Sequence, residues 1–558
     1  MSNTTTPGTP NRRIGRRSIL SVGFGLAAAA ATAGLTACAP GAATGTSVPG
    51  GSPGGNGGGV QLPTHRAPSV VTPDLTSGSP GGMPVHFSFP ATPKASHPQA
   101  PLAGERITAM TQTFDSAAPG MAENPMWQAI NQGLGGELDV SYVPSGDYQA
   151  KFATTIAGGS LPDLVTIIPP VQQLPALLRS TFADLTPYLA GDAVLAHPNL
   201  AAIPTDAWRK CIVDGALWAV PVVRPPVGST LFVRRDLIEK AGFSMTPKDF
   251  AEFKELTLAL TDKSQKRWAS ADIEGVFAFL ATTRGIGGSW IEEGGRFTSS
   301  FERPEYEALI NDAKQLFDAG VIHPDGTSST NNQRNDWFIH GSAPMVYAGF
   351  VGWSKFVLWG VDQPEYRMDA MLPFAAEAGI TPVHSRGNVA SSLTAVKKGD
   401  EASVRRLLSV LDWLAAPFGS LEYQIKTYGV EGVSFTRQGT DPVLTEVGQN
   451  LRKVPFGYLA DAGPVIYEPG ARDVAQARFD YQEKALPMIP ADPTAGLYSE
   501  TDTGRSAKIG AAISDARREI LLGRQPLSTW SAAVATWKKQ GGDAIRAEYE
   551  TAFAGAHG

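Results

Sequence analysis

Strand and helix patterns alternate between residues 107 and 168, and this alternation constrains the fold more than any other feature of the chain. The successive patterns cover residues 107–114 (strand), 125–134 (helix), 138–143 (strand), 148–156 (helix) and 164–168 (strand). The last is a continuous apolar run, typical of a strand that is buried on both faces. Asn124 is placed to cap the first helix, and Pro125 stands at its first position. The order predicts an α/β fold with a mainly parallel sheet.

Helical patterns dominate the rest of the chain. Thr246 is placed to cap a further helix, with Pro247 at its first position and Asp249 in its first turn. Apolar residues then recur at helical spacing in residues 306–317, 404–414 and 507–552, the last with a break at 523–526. Sheet and helices together predict a sizeable globular core.

The N-terminal leader predicts export. Arg16 and Arg17 precede a weakly apolar, alanine-rich run over residues 19–37, the order found in twin-arginine signals. Leu-Thr-Ala-Cys has the small-residue pattern of a lipoprotein cleavage site, so cleavage after Ala37 leaves Cys38 as the lipid-modified first residue. A transmembrane anchor is the alternative, which the glycines and alanines of the run disfavour. We expect a protein anchored by lipid at the outer face of the cytoplasmic membrane.

Glycine, proline, serine and threonine dominate residues 38–104. Such a composition buries too little apolar surface to offset the entropy of ordering the chain, so it predicts a flexible tether. Residues 62–93 contain more apolar side chains, including Phe87 and Phe89, and contact of this part with the folded body is the open alternative.

Composition excludes several functions. A net charge of −6 without any basic run argues against a nucleic-acid partner. If Cys38 is acylated, Cys211 has no disulfide partner, and its apolar neighbours favour a small buried hydrophobe over a nucleophile. The eight histidines show no pair at metal-ligand spacing, and nucleophile-elbow and phosphate-loop motifs are absent from the sequence. We therefore expect neither a metal nor another cofactor, and no enzyme.

Several passages become informative when they are read together and in order. They are residues 148–165, where a helix leads through Gly-Gly-Ser-Leu-Pro-Asp into a strand, and residues 215–221, 231–237, 337–347 and 411–420. Beside a lipoprotein leader, this series resembles the extracellular solute-binding proteins of carbohydrate-type ABC importers. The likeness extends over about residues 105–555.

The resemblance implies a periplasmic-binding-protein-like type II fold, in which two α/β lobes enclose a ligand and close about a hinge. It assigns residues 105–222 and 388–470 to the N-terminal lobe, residues 226–383 and 471–555 to the C-terminal lobe, and the crossings to 223–229 and 381–388. It further implies a monomer that delivers its ligand to membrane permease subunits.

Aromatic side chains are the first candidates for ligand contact, because sugars present apolar ring faces. Trp353 and its neighbour Phe350 follow a predicted strand, Trp290 follows a glycine-rich loop, and Trp127 lies in the first helix. Core packing is the alternative for each tryptophan and is favoured for Trp127.

Charged side chains are the second group. Arg224 at the first crossing, Arg284 in the glycine-rich loop and Arg386 at the second crossing could each fork onto a carboxylate or onto paired hydroxyls, which would suit an acidic oligosaccharide. Solvated loop arginines are the alternative. Asp163 is expected at a strand end on the floor of the cleft.

The sequence thus predicts a lipid-anchored protein that binds a sugar or oligosaccharide without chemical conversion. A lipid-anchored glycoside hydrolase is the alternative, but it requires two carboxylates that face each other across the scissile bond. An adhesion or scaffold protein is a third interpretation, and it predicts no enclosed cleft.

Overall fold

The computed structural model describes residues 60–557, except residues 98, 115, 116, 361, 362, 364, 455 and 496. The predicted leader, with Arg16, Arg17, Ala37 and Cys38, lies outside the described residues. None of the helices found within residues 60–557 has the length and apolar character needed to cross a membrane.

The strands are short, and sixteen fall within the described residues. They are β1 Val85–His86, β2 Arg106–Thr113, β3 Glu137–Pro144, β4 Leu164–Ile167, β5 Ile212–Val213, β6 Ala216–Leu217, β7 Ala219–Val223, β8 Ser229–Arg234, β9 Trp290–Glu293, β10 Arg296–Ser299, β11 Met345–Gly349, β12 Met368–Met371, β13 Ala390–Val396, β14 Phe435–Gln438, β15 Asp441–Leu444 and β16 Ile466–Tyr467.

The described residues contain eighteen α-helices. They are α1 Pro125–Leu134, α2 Tyr148–Ala157, α3 Leu174–Thr181, α4 Thr186–Leu189, α5 Thr205–Trp208, α6 Arg235–Lys240, α7 Phe250–Leu260, α8 Ile273–Thr283, α9 Pro304–Asp318, α10 Asn331–Ile339, α11 Trp353–Gly360, α12 Glu401–Leu414, α13 Leu421–Tyr428, α14 Glu446–Leu451, α15 Arg472–Ala485, α16 Glu500–Leu521, α17 Trp530–Trp537 and α18 Asp543–His557.

The larger sheet has five strands in the order β3-β2-β4-β13-β7. Strand β2 pairs in parallel with β3 and β4, whereas β13 runs antiparallel to its neighbours β4 and β7. Four strands therefore run in one direction, which confirms the mainly parallel sheet. The fifth strand of this sheet, β13, comes from much later in the chain.

Local signals set the first helix as predicted. The Asn124 side-chain oxygen accepts hydrogen bonds from the N–H groups of Met126 and Trp127 at 3.1 and 3.2 Å, and Pro125 occupies the first helical position. Gly135 ends the helix with φ of 69°, a left-handed conformation that glycine adopts without steric cost.

Helix α7 begins differently from the prediction. The predicted cap at Thr246 is wrong, because the carboxylate of Asp249 caps the helix by accepting a hydrogen bond from the N–H of Glu252 at 2.9 Å. Asp249 immediately precedes the first helical residue and so reaches the orphan N–H groups of the first turn. Pro247 consequently lies before the helix.

Each of the two main sheets has its own buried core. The smaller sheet has the order β11-β8-β12 and is antiparallel throughout. One core is formed within residues 102–223 and 390–460, and the other within residues 231–376 and 509–549. A third cluster joins strands β1, β8, β11 and β16 to helices α10, α11 and α15. The architecture is that of two α/β lobes, and the lobe boundaries given above stay a prediction.

Two segments carry the chain between the sheets. Residues 224–228 connect β7 of the larger sheet to β8 of the smaller one, and residues 372–389 connect β12 back to β13. The predicted crossing 223–229 spans the first of these segments, and the predicted crossing 381–388 lies within the second. A bridge between Val227 and Arg386 shows that they run side by side and antiparallel.

The two crossings approach very closely. The N–H of Gly387 donates to the carbonyl of Pro226 at 2.7 Å, and the N–H of Gly228 donates to the carbonyl of Ser385 at 3.1 Å. A Cβ atom on Gly387 would lie 2.1 Å from the carbonyl oxygen of Pro225. Because no side chain tolerates such a contact, glycine is required at this point.

The described part of the predicted tether follows the alternative given for residues 62–93, which is contact with the folded body. Residues 60–104, here called the strap, lie on the folded body. Met83, Val85, Phe89 and Leu102 are each at most 2% exposed. A few large apolar side chains, spaced along a glycine- and proline-rich segment, therefore suffice to dock it.

Hydrogen bonds hold the strap at its middle and again near residues 96 and 97. Strand β1 pairs in parallel with β16, and the side-chain amide of Gln482 bonds both the N–H and the carbonyl of Met83, at 3.0 and 3.1 Å. Further along, the buried carboxylate of Glu422 accepts hydrogen bonds from the N–H groups of Ser96 and His97, each at 2.9 Å. The strap thus contacts the third cluster and helix α13.

A histidine lies buried in the strap. The ring of His86 stacks on Phe418 with 4.3 Å between centroids. Burial lowers the pKa of His86 to about 4, and the carboxylate of Asp74 opposes part of this effect. The ring is therefore neutral in the folded protein at pH 7.

Replacing Glu422 with alanine should destabilise the protein by about 3 kcal/mol, because it removes a charged acceptor from buried N–H groups. Urea unfolding measures the effect. Glu307→Ala, an exposed change in the first turn of α9, is the matched control and should cost less than about 0.5 kcal/mol. Equal stability of the two variants would show that the strap is not anchored at Glu422.

Lowering the pH should weaken the fold through His86. Its folded pKa of about 4 lies below the ordinary histidine pKa of 6.5, so the unfolded state binds more protons and stability is lost as pH falls from 6.5 through 4. The loss due to this group is about 3 kcal/mol at pH 4. Urea unfolding at pH 7 and pH 4 should give a smaller difference for His86→Gln than for the unaltered protein.

The exposed His340 provides the control for this pH effect. His340→Gln should leave the difference between pH 7 and pH 4 unchanged. Burial also lowers the pKa of His197 to about 4, so part of the pH dependence persists in the His86 variant. An identical pH dependence in the His86 and His340 variants would contradict a buried neutral His86.

Candidate functional site

A cavity of about 490 Å³ lies where β7 ends and the first crossing begins. Since β7 runs in the same direction as β2 and β4, the cavity lies at the carboxyl edge of the larger sheet, the edge at which α/β proteins bind ligands. Its wall consists of Met83, residues 223–225, Val351, Tyr423, residues 426–427, parts of residues 452–465, and Arg478.

Tyr458 lines the cavity with an aromatic ring, and its backbone is held above the edge of the larger sheet. The hydroxyls of Thr111 in β2 and Thr166 in β4 both donate to its carbonyl oxygen, at 3.4 and 3.1 Å. The guanidinium carbon of Arg224 lies 4.8 Å from the centroid of its ring, and the exposed ring of Phe114 lies at 5.8 Å. This wall therefore combines an aromatic face with a cation.

Lys426 and Asp461 form an ion pair in a second wall. The Nζ of Lys426 donates to Oδ1 of Asp461 and to the carbonyl of Leu414, each at 2.6 Å. The lysine side chain is 7% exposed and the aspartate side chain 37%. Asp461 is the one carboxylate among the described residues that line this cavity.

Arg478 lies at the side of the cavity nearest the third cluster. It pairs with Glu468, and both residues are 6% exposed. The hydroxyl of Ser354 donates to Glu468 at 2.7 Å and accepts from Arg478 at 3.1 Å. The Nε of Arg478 is buried and has no hydrogen-bond partner among the described residues.

Of the eight ligand contacts predicted from sequence, Arg224 lines this cavity. Trp353 and Phe350 do not: they are 2% and 1% exposed and pack with Phe232 and Tyr481. The alternative of core packing describes Trp353, and Phe350 is buried beside it. Their large apolar surface stabilises the region around α11 rather than facing the cavity.

Trp127 and Trp290 also lie in the core. The indole N–H of Trp127 donates to the carbonyl of Leu138 at 2.9 Å, and its ring contacts the cavity-lining Phe456 edge-on at 5.7 Å. Trp290 packs against Trp537 and Tyr549 in the C-terminal lobe. Trp127 therefore supports the cavity wall from behind, and Trp290 contributes to a core away from it.

Arg284 belongs to a buried ion pair. Its guanidinium contacts Asp312 at 2.6 Å and Glu377 at 2.7 Å, and its side chain is 7% exposed. Burial raises the pKa of Asp312, and the charge of Arg284 opposes that rise. The geometry gives Arg284 a structural role in place of the predicted ligand contact.

Arg386 and Asp163 lie apart from the cavity lining. Arg386 is exposed and donates to the carbonyl of Pro490. The carboxylate of Asp163 accepts hydrogen bonds from the N–H and hydroxyl of Thr108, each at 2.9 Å. Because Asp163 precedes β4, it lies at the amino end of the strand, opposite the expected cleft floor.

Sequence reasoning missed most of the cavity wall. Tyr458 follows Gly457, much as Trp290 follows a glycine-rich loop, and could have been found on that signal. Lys426, Arg452 and Arg478 lie in or just after ordinary helical patterns, so single-sequence patterns give no indication that they converge.

The chemistry of the described residues fits binding. Within residues 60–557, no cluster of three or more His, Cys, Asp or Glu side chains is arranged to hold a metal ion. Cys211 is buried as predicted, and burial raises the pKa of its thiol above the ordinary value, which makes it inert. A single lining carboxylate, already paired with Lys426, does not provide the two facing carboxylates of glycoside hydrolysis.

Replacing Arg284 with methionine should cost about 3–5 kcal/mol, because it leaves the carboxylate of Asp312 buried without its partner. Urea unfolding measures the loss, and the double change Arg284→Met with Asp312→Leu should recover most of it. Arg386→Met is the matched control at an exposed arginine and should change stability little. Full stability of the Arg284 variant would overturn the structural role.

Two known proteins of one organism match about three quarters of this chain. The chain is 24% identical over 438 residues to the polygalacturonan/rhamnogalacturonan-binding protein YtcQ of Bacillus subtilis (strain 168), covering 75% of this chain and 85% of that protein. It is 22% identical over 447 residues to Lipoprotein LipO of the same organism, covering 76% and 87%.

A solved structure shares the fold. The S. pneumoniae ABC-transporter substrate binding protein FusA in complex with kestose matches with a TM-score of 0.59 and 15% identity, covering 80% of this chain and 98% of that one. Residues 115–417, more than half of the chain, match the family described as bacterial extracellular solute-binding protein. The chain is therefore a member of the bacterial extracellular solute-binding protein family.

Proposed function

We propose that this protein captures a sugar or oligosaccharide in the cavity beside Tyr458 and delivers it to the permease subunits of an ABC importer. The observation that carries the proposal is the position of the cavity, at the carboxyl edge of the larger sheet and beside the first crossing. A ligand held there lies next to the segments that connect the two lobes, so its binding couples to their relative movement.

The cavity wall has the chemistry of a carbohydrate site. Sugar rings have apolar faces that pack on aromatic rings and hydroxyl edges that bond to planar polar groups. Tyr458 supplies the first, and Arg224, Arg452 and the Lys426–Asp461 pair supply the second. The volume of about 490 Å³ falls within the range of small-molecule sites.

The named relatives support this class of ligand. YtcQ is described as binding polygalacturonan and rhamnogalacturonan, and FusA was solved with kestose. All of these are carbohydrates, and FusA is described as part of an ABC transporter. The family is one of binding proteins, which agrees with the single carboxylate in the cavity wall.

Closure of two lobes completes the proposed mechanism. We take residues 105–222 with 388–470 as one lobe and residues 226–383 with 471–555 as the other. A ligand that contacts both lobes only when they are closed shifts the population toward the closed form. The closed monomer then docks on the permease.

Export and lipid anchoring complete the proposal. Arg16 and Arg17 mark the export signal, cleavage follows Ala37, and the lipid on Cys38 holds the protein at the outer face of the cytoplasmic membrane. LipO, a relative, is named a lipoprotein. An anchored receptor remains close to its permease after each delivery.

Calorimetry of the full-length protein against a panel of neutral and acidic mono- and oligosaccharides tests the function. We expect at least one to bind, and Tyr458→Ala to weaken that binding about tenfold, because the ring loses its contact with the sugar face. Tyr498→Ala, at an exposed tyrosine that does not line the cavity, should bind like the unaltered protein.

Two results would contradict the proposal. One is the absence of heat and of thermal stabilisation with every sugar of the panel. The other is release of reducing ends from an oligosaccharide by the purified protein, which would favour hydrolysis.

A further inference from the structure

The cavity wall carries an excess of positive charge. Four basic side chains line it, namely Arg224, Lys426, Arg452 and Arg478, against the one carboxylate of Asp461. The whole chain has a net charge of −6, so this local excess is opposite in sign to the protein as a whole. A cavity lined by one sign of charge attracts ligands of the other sign.

Two of the four cations are neutralised within the protein. Lys426 pairs with Asp461 at 2.6 Å, and Arg478 pairs with the buried Glu468. The charge of these two side chains is therefore already balanced. Any unbalanced charge in the wall belongs to the other two.

Arg224 and Arg452 make no ion pair within the described residues. Arg224 uses one N–H to bond the carbonyl of Val223 at 2.8 Å, and its remaining N–H groups have no acceptor among the described residues. It is half-buried over the ring of Tyr458, whereas Arg452 is exposed. Both are available to a ligand.

A second observation points the same way. The Nε of Arg478 is unpartnered, and the residue is 6% exposed while it lines the cavity. A buried donor without an acceptor costs free energy unless a ligand or water satisfies it. Arg478, a lining residue, therefore retains one unused donor, in addition to those of Arg224 and Arg452.

We propose that the ligand is an oligosaccharide that carries carboxylates, and that Arg224 and Arg452 bind them; this rests on the proposed function. The planar guanidinium matches a carboxylate with two parallel hydrogen bonds. A uronate ring supplies that carboxylate and also an apolar face for Tyr458. A neutral sugar would leave the excess charge in the wall without a counter-charge.

Calorimetry of the full-length protein tests the proposal. The probes are trigalacturonate and trimannuronate, the same trisaccharides with their carboxylates reduced to alcohols, and a sulfated neutral trisaccharide. We expect one uronate to bind at least about tenfold more tightly than its reduced counterpart and than the sulfated sugar. Added salt should weaken uronate binding because it screens the charge attraction.

Variants locate the charge recognition. Arg224→Gln and Arg452→Gln should each weaken binding of the preferred uronate about tenfold more than binding of its reduced counterpart, because glutamine keeps a planar hydrogen-bonding group but lacks the charge. Arg386→Gln changes the net charge equally at an exposed residue outside the cavity lining and should leave both affinities unchanged.

The outcomes distinguish failure of this proposal from failure of the proposed function. Equal binding of uronate and reduced sugars, or tighter binding of the sulfated sugar, overturns the carboxylate subsite and leaves sugar capture standing. An Arg386 variant as weak as the Arg224 variant also overturns the subsite, since it would show a general charge effect. If no probe and no sugar of the earlier panel binds, the function itself fails.

Discussion

The close contact between the two crossing segments is the constraint on which the rest of the molecule depends. Gly387 and Gly228 bring the backbones within hydrogen-bond distance of Pro226 and Ser385, and no side chain fits at Gly387. This contact aligns β7 with β13 and turns the chain toward the smaller sheet. The cavity lies against the first of these segments, with Arg224 at its wall. The geometry of the crossing segments therefore also sets one wall of the cavity.

Local sequence signals predicted the framework well, because they depend on neighbours in the chain. Asn124 and Pro125 start α1 as expected, and the order of the first strands and helices is confirmed. Docking of the strap was only an open alternative, given for residues 62–93, for the opposite reason. Its composition is that of a flexible segment, and the groups that hold it, Gln482 and Glu422, lie hundreds of residues away in sequence. The composition of a segment does not show which residues elsewhere in the chain bind it.

The residues of the candidate site were harder to predict than the framework, because they come from distant parts of the chain. Tryptophans were attractive as sugar platforms, yet Trp353 and Trp290 are buried because their large apolar surface stabilises the core. Arg224 was found because it lies at a crossing that the resemblance located. Tyr458 and Arg452 come from a distant segment that the larger sheet brings to its edge. A single sequence gives no information on that convergence, which only the folded chain supplies.

The antiparallel strand β13 has a consequence for synthesis. It fills the place between β4 and β7 but follows β7 by more than 160 residues. A nascent chain that leaves the ribosome therefore presents two strand edges with unpaired backbone groups until residue 396 has emerged. Such edges template aggregation. Translation that stops between residues 223 and 390 would leave both of these edges open.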